Sequence, residues 1–452
     1  MAAPSKALRY VEPGASSHLY RAEGTEMNGD DTAGVPSCGQ TSVVTGARLA
    51  AGSDKSYYGS IEIAGERIAQ IVGAGQPMHL NAWPATEFDL SGYLVLPGLI
   101  NAHDHLEFSL YPRLADPPYR NYVEWGDDIH KKFADAIARQ HTVPKNVRLQ
   151  WGGIRNLLSG VTTVCHHNPL WPDLTNADFP IRVVTQYGWA HSVALGGDLS
   201  AARAATPPGR PFIVHACEGT DALAQSELWQ LKESGLLDEY AVLVHGLSID
   251  GDGAALVRER RASLIVCPSS NFFLYGKLPS LELLNTIEQI ALGSDSPLTG
   301  GGDLLDEIRF ATSRWGISPS LAYRMVTTSA GSILRLEDGE GFIRIDGTGD
   351  LIAVRDSGQT PAGCLRSLSA ADVELVMIGG RVQLASEEVM RRLPIEARKG
   401  LEPLAIGEIV RWLRVPVNEL VGAVEAVLGK NTVQLTGRNV TAPALKEMSH
   451  AW

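Results

Sequence analysis

Short apolar runs recur through the middle of the chain, and each ends in a polar residue. Leu94 to Ile100 runs into Asn101-Ala102-His103-Asp104-His105, and Val161 to Cys165 into His166-His167-Asn168. Arg182 to Tyr187 leads to Gly188-Trp189-Ala190-His191, Phe212-Ile213-Val214 to His215, Ala241 to Val244 to His245, and Ile290-Ala291-Leu292 to Asp295. Such runs predict strands buried on both faces. Between them the periodicity turns helical, predicting helices over Tyr122–Gln140, Val147–Leu158, Asp221–Leu237, Leu281–Gln289, Leu304–Arg314 and Leu321–Leu334. In the last, Ala322, Val326, Ala330 and Ile333 recur at nearly helical spacing. Polar strand ends scattered this widely meet at one place if parallel strands and helices alternate around a barrel, whose site lies at the carboxyl ends of the strands. An open doubly wound sheet would gather fewer of them. The predicted class is therefore α/β, a barrel of alternating parallel strands and helices.

The flanks read differently. Strands are predicted at Ser42–Leu49, Ser60–Ala64 and Arg67–Val72, the last two joined by a tight turn at Gly65-Glu66. A second set follows the barrel block at Gly341–Ile345, Leu351–Arg355 and Val373–Ile378, with Gly379-Gly380 turning into Arg381–Leu384. Neither set has enough material for its own core, so the two are expected to make one small discontinuous β-sandwich. The expected partition is an N-terminal arm over 1–40, sandwich over 41–96 and 336–390, barrel over 97–335, and a C-terminal helical extension over 391–452. In that extension Ile406–Leu413 and Val417–Leu428 read as helices around Pro416, and Val433–Leu435 as an edge strand.

Composition narrows the partners. A chain of 452 residues can bury a large core, and 39 basic against 51 acidic side chains leave a formal charge of -12. Nucleic acid is disfavoured, because a phosphate backbone needs a basic footprint. The five cysteines form neither a disulfide ladder nor paired thiolate motifs, which suits reduced cytoplasmic residence. With no secretion-type leader and no long apolar run, a soluble protein with a small-molecule partner and no membrane is expected.

The candidate chemistry lies at the strand ends. His103 and His105, one residue apart on an extended segment, project to the same side and suit a metal, while Asp104 points away to brace the strand. Alone, such a pair is as readily structural; His215, His245 and Asp295 are its distant partners. Of the adjacent His166 and His167 at most one enters the pocket directly, and His167 stands between pocket and packing roles. Trp189 and His191 offer a wall or polar contact for a flat substrate, or are structural. Asn271, with Ser270, suits either a substrate contact or turn chemistry. Cys217 has no histidine or oxyanion arrangement tied to it, so packing is its expected role.

The words Pro97-Gly98-Leu99-Ile100-Asn101-Ala102-His103-Asp104-His105, His215-Ala216-Cys217-Glu218, Val244-His245-Gly246, Cys267-Pro268-Ser269-Ser270-Asn271 and Leu292-Gly293-Ser294-Asp295-Ser296 occur in a familiar order. In this combination the chain, from about residue 42 to residue 383, resembles the amidohydrolase superfamily, in the branch containing guanine deaminase, cytosine deaminase and the triazine hydrolases. The resemblance implies a distorted eight-stranded barrel carrying a β-sandwich from both flanks. It implies His103, His105, His215 and Asp295 as metal ligands, with Asp295 also accepting a proton from water. His245 would approach the hydroxide or developing alkoxide, and Glu218, in the His-x-x-Glu word, would shuttle protons. Two-metal members use a bridging lysine or glutamate near Gln186; Gln186 is a poor bridge, so one divalent transition metal is expected, zinc first and iron second. Gln186 is kept as a substrate contact, with His167, Trp189, His191 and Asn271. His105-Leu106-Glu107-Phe108 departs from the aromatic-rich lead of many purine deaminases, which points away from a purine.

The expected function is hydrolysis of C–N bonds, namely deamination of a small nitrogen heterocycle by metal-activated water. Cyclic amide or N-acyl hydrolysis is the alternative, dehalogenation a weaker one, and a non-catalytic metal-binding scaffold the alternative of another class. A homodimer rests on the resemblance alone.

Overall fold

The computed structural model describes residues 41–79 and 85–443; the arm predicted over 1–40, with Cys38, lies outside them. Eight parallel strand segments form the centre. They are Leu99–Asp104, Val161–His166, Arg182–Val183, Gly188–Ser192, Phe212–Ala216, Ala241–His245, Ser263–Val266 and Ile290–Leu292. The first three pair in sequence order, as do the last five. The Asp295 N–H donates to the His103 carbonyl at 3.1 Å, and Ser294 N–H to Asn101 Oδ1 at 3.0 Å, bringing the last segment back to the first. The fold is a distorted (β/α)8 barrel.

The distortion has a definite place. One strand is expected over Arg182 to Tyr187; instead the run is interrupted at 184–187 and resumes at Gly188. Its first piece pairs with the Val161–His166 strand and its second with Phe212–Ala216. One short stretch thus fills two barrel positions with no helix between them.

Strand alternation separates two faces. Ile213, Val242, Val244, Ile265 and Ala291 pack together with Ala330 and Ile333 of the Thr328–Ile333 helix. Phe212, Val214, Leu243, Leu264 and Leu292 instead pack with helix residues such as Leu228, Val257 and Ile308. Four of the helices begin at aspartates: Asp198, Asp221, Asp250 and Asp303 each accept from the N–H three residues on, at 2.8–3.2 Å. Each such cap stabilises by about 1 kcal/mol and starts its helix just beyond the site.

The flanking strands meet in one twelve-stranded sheet. Leu351–Arg355 pairs antiparallel with Tyr93–Pro97, which lies parallel to Thr41–Ala50. Only Gly98 separates Tyr93–Pro97 from the barrel strand Leu99–Asp104. A Cβ at Gly98 would fall 2.2 Å from Thr162 Oγ1, so glycine is required by this close approach.

Several local expectations are corrected. Gly341–Ile345 is not a strand; the bridge to Arg67 is made instead by Thr348. Ile406–Leu413 is not a helix: Glu402–Ile406 and Ile409–Leu413 form a hairpin across Gly407-Glu408, and the latter strand pairs with Arg381–Ser386. The C-terminal segment through residue 443 is therefore mixed, extending the sheet and carrying the Val417–Leu428 helix. An apolar run whose β-branched residues fit a sheet edge cannot be told from a short helix by periodicity alone. Tyr122–Gln140 is two helices broken at Phe133, and Leu321–Leu334 two helices broken at Val326-Thr327. Among the described residues no helix is long and apolar enough to cross a membrane.

Candidate metal and proton-transfer site

The polar strand ends converge. His103 Nε2 lies 3.2 Å from His215 Nε2 and 3.8 Å from Asp295 Oδ1, and His105 Nε2 lies 3.7 Å from the same oxygen. His103, His105 and Asp295 form one group able to hold a cation, and His103, His167 and His215 another. His103 is common to both. The structure therefore brings together the four residues expected as ligands and adds His167, whose ring stacks on His215 at 4.2 Å.

The neighbouring His166 turns the other way. Its Nδ1 accepts from Leu106 N–H at 3.3 Å, and its Nε2 faces Glu107 at 3.5 Å. Glu107 also faces Lys145 at 3.9 Å. Trp189 sets its ring edge against His167, and His191, exposed at the cleft, gives its carbonyl to His215 Nδ1–H. Gln186 lies exposed in the interruption at 184–187 and is not among the groups that converge.

A metal suits this donor set. With Nδ1–H donated to the His191 carbonyl, His215 presents its Nε2 lone pair to the cluster, as a second partner of a ligating histidine does. Burial, then the neighbouring imidazoles, hold His103 and His215 well below the ordinary histidine range, in the neutral form a metal takes. Burial opposes the charge of Asp295, yet His245 and His105 together with hydrogen-bond donors lower its pKa below the ordinary carboxylate value. Ser296 N–H donates to Oδ1 at 2.7 Å and Thr299 Oγ1 to Oδ2 at 3.1 Å. Nitrogen lone pairs and a carboxylate this close, in a dry pocket, repel unless a cation lies among them.

Beside the cluster stands a second pair. His245 Nε2 is 3.5 Å from Glu218 Oε2, and Tyr275 donates its hydroxyl to Glu218 Oε1 at 2.8 Å. Asn271 Oδ1 accepts from His245 Nδ1–H at 3.0 Å, which leaves the Nε2 edge facing Glu218. Burial raises the Glu218 pKa, aided by Asp295 and opposed by His245 and Tyr275. Burial also pushes the Cys217 thiol up, away from the thiolate form a nucleophile needs, and the four described cysteines are all buried and free.

Backbone shape aims these groups. Cys217, His245 and Asp295 have φ of 59°, 78° and 56°, a left-handed conformation that non-glycine residues adopt only where their surroundings hold them. One such hold is Arg155, buried on the Lys145–Leu158 helix. It donates to Asp104 Oδ1 at 2.5 Å, to the Asp295 carbonyl at 3.2 Å and to the Gly302 carbonyl at 2.7 Å. Asp104 does point away from the cluster, as expected, and Arg155 is what it braces against. Removing one member of such a buried pair costs about 3–5 kcal/mol. Arg155, Tyr275 and Thr299 carry no local motif; only the long-range contact reveals them.

Gly293 is the tightest contact in the site. A Cβ there would fall 2.5 Å from His103 Cβ and 2.9 Å from the His103 carbonyl oxygen. Gly293→Ala is expected to lower stability by about 1–3 kcal/mol and to weaken metal retention, as read by thermal unfolding and elemental analysis. Wild-type values in both would show that the two strands part freely.

Comparison with known proteins agrees with this fold. Residues 197–382 match the model of the Amidohydrolase family. A 5-methylthioadenosine/S-adenosylhomocysteine deaminase of Natronomonas pharaonis is 25% identical over 369 residues, covering 67% of this chain and 84% of the relative. An 8-oxoguanine deaminase of Pseudomonas aeruginosa is 24% identical over 407 residues, 71% of this chain and 88% of the relative. Among solved structures, an atrazine chlorohydrolase from Arthrobacter aurescens complexed with zinc superimposes with a TM-score of 0.63 at 16% identity, covering 86% of this chain and all of that one. An adenosine deaminase from Xanthomonas campestris with bound zinc gives 0.61 at 16% identity, over 79% of this chain and 94% of that one. The ordered strand-end residues gather at one barrel mouth, and the match to the Amidohydrolase family runs through three of them, His215, His245 and Asp295.

Proposed function

We propose that this protein is a metal-dependent hydrolase that deaminates a small nitrogen heterocycle and releases ammonia. The observation carrying this reading is Glu218, a buried carboxylate of raised pKa held between Tyr275 and His245 beside the imidazole cluster. His103, His105, His215 and Asp295 would hold one divalent ion, zinc first and iron second, which when bound supplies the Lewis acidity that makes water a nucleophile near neutral pH.

The chain's own groups then divide the proton traffic. Asp295, kept ionised by its donors, takes a proton from the attacking water. Glu218 delivers its proton to the ring nitrogen, takes up the proton that the added hydroxyl releases as it becomes a carbonyl, and passes that one to the departing amino nitrogen; the proton on Asp295 then returns to Glu218 for the next turnover. The amino-substituted ring carbon gains the water oxygen as a carbonyl, the ring nitrogen keeps a proton, and ammonia leaves. His245 faces the carbon under attack and stabilises charge developing on its oxygen. Trp189 and His191 wall a cleft for a flat ring.

The deaminases named above act on purines, and this supports restoring aminopurines as candidates despite the departure at His105-Leu106-Glu107-Phe108. The second reading, hydrolysis of a cyclic amide or N-acyl compound, uses the same residues. A panel of aminated purines, pyrimidines, pterins and triazines, set against cyclic amides and N-acyl compounds, separates them. Ammonia release from a panel member is the expected result; ring opening or acyl cleavage without ammonia moves the assignment to amide hydrolysis.

A further inference from the structure

Cys217 links His215 to Glu218 through a left-handed turn, and its backbone has an unusual partner. The Cys217 N–H donates to Glu227 Oε2 at 2.7 Å. Glu227 lies on the Ala222–Glu233 helix and is 1% exposed. Its other oxygen accepts from the Tyr122 hydroxyl at 2.5 Å, and that hydroxyl accepts from Ala194 N–H at 2.8 Å.

Three loops are joined by this chain of bonds. Tyr122 follows the His105 strand, Ala194 follows Gly188–Ser192, and Cys217 follows His215. The same segment clasps the turn from its far side. Asn121 bridges to Gly219, Thr220 N–H donates to the Arg120 carbonyl at 2.7 Å, and Asn121 Nδ2 donates to Asp221 Oδ2 at 2.7 Å.

Leu228 and Leu231 show what the buried face of this helix ordinarily carries. A carboxylate there is costly to bury, and burial pushes the Glu227 pKa up to about 7 against the opposing Tyr122 and Cys217 donors. Packing alone is served better by leucine. What the carboxylate adds is an acceptor for a strained amide one residue before Glu218.

We propose that Glu227 is a positioning residue: it fixes the left-handed turn at Cys217 and so aims Glu218 at His245 and the imidazole cluster, with Tyr122 completing the clamp. This rests on Glu218 being the proton carrier proposed above.

The test places Glu227→Ala, Glu227→Gln and Tyr122→Phe in both the unaltered and the Glu218→Gln backgrounds. It reads kcat, KM, bound metal and thermal midpoint on a substrate that releases ammonia. Glu227→Ala is expected to lower kcat about tenfold or more, with KM and metal content within about twofold. Glu227→Gln recovers part of the loss, since its amide oxygen still accepts from Cys217, and Tyr122→Phe loses about threefold. In the Glu218→Gln background none of the three lowers kcat further, because each acts through the group already removed. Unchanged kcat in Glu227→Ala, or an equal loss in both backgrounds, overturns the inference. Near-normal turnover of Glu218→Gln by itself overturns instead the proton-carrier reading. Should Glu227→Ala fail to fold, the Gln and Phe variants make the same comparison across the two backgrounds.

Discussion

Glu218→Gln is expected to reduce ammonia release by about a hundredfold or more while the fold and bound metal persist. Glutamine keeps the size of the side chain, and its amide oxygen still accepts from the Tyr275 hydroxyl that holds Glu218 Oε1 at 2.8 Å. It cannot pick up and deliver a proton. Glu218 stands 3.5 Å from His245 and is in neither of the two cation-binding groups, so the change leaves the donor set whole. Loss of turnover with metal intact would therefore separate proton transfer from metal binding. Near-normal turnover with metal intact would leave Asp295 or His245 to carry the protons.

The second large effect is on the metal itself. The unaltered protein is expected to hold about one tightly bound transition metal per chain. His103→Ala or Asp295→Ala should lose it, and with it the ammonia-releasing activity. His103 belongs to both groups, and its Nε2 faces His215 and Asp295 at 3.2 and 3.8 Å, so its loss breaks both at once. Elemental analysis and turnover measured together decide the matter. Unchanged values of both in both variants reject the ligand set, and two equivalent tightly bound ions in an active preparation reject the single-metal assignment. Circular dichroism separates metal loss from unfolding, which matters most for Asp295 because it also anchors the Ser296 amide and the Thr299 hydroxyl.

What was legible in the sequence was what local pattern controls. Apolar runs such as Phe212-Ile213-Val214 and Ala241 to Val244 do form parallel strands, and the histidines that end them do meet. Chemistry at a strand end is readable because a buried strand spells itself out and its first polar residue marks the barrel mouth. The supports were not readable. Arg155 reaches Asp104 across 51 residues of chain, and Tyr275 reaches Glu218 across 57. Nothing near Arg155 or Tyr275 distinguishes a buried hub from a surface side chain. Glu227 was hidden for a related reason: a carboxylate on an amphipathic helix reads as solvated until the fold is known. The misread stretches, Gly341–Ile345 and Ile406–Leu413, are short runs where strand, turn and helix patterns overlap. His167 was undecidable from an adjacent pair, and only the way His166 binds Leu106 and Glu107 resolves which imidazole turns inward.

The single residue between Tyr93–Pro97 and Leu99–Asp104 bears on how this enzyme can be rebuilt. Tyr93–Pro97 is locked by its ladder to Leu351–Arg355, and Gly98 gives its N–H to the Asp350 carbonyl at 2.9 Å. The sheet thus sets the phase in which the next strand delivers His103 and His105. Side chains alternate along a strand, so one residue inserted or deleted at this junction would rotate both imidazoles away from Asp295. The barrel is therefore not a portable module. A chimera that grafts it onto a foreign flanking sheet would have to preserve the spacing from Pro97 to Leu99 to the residue.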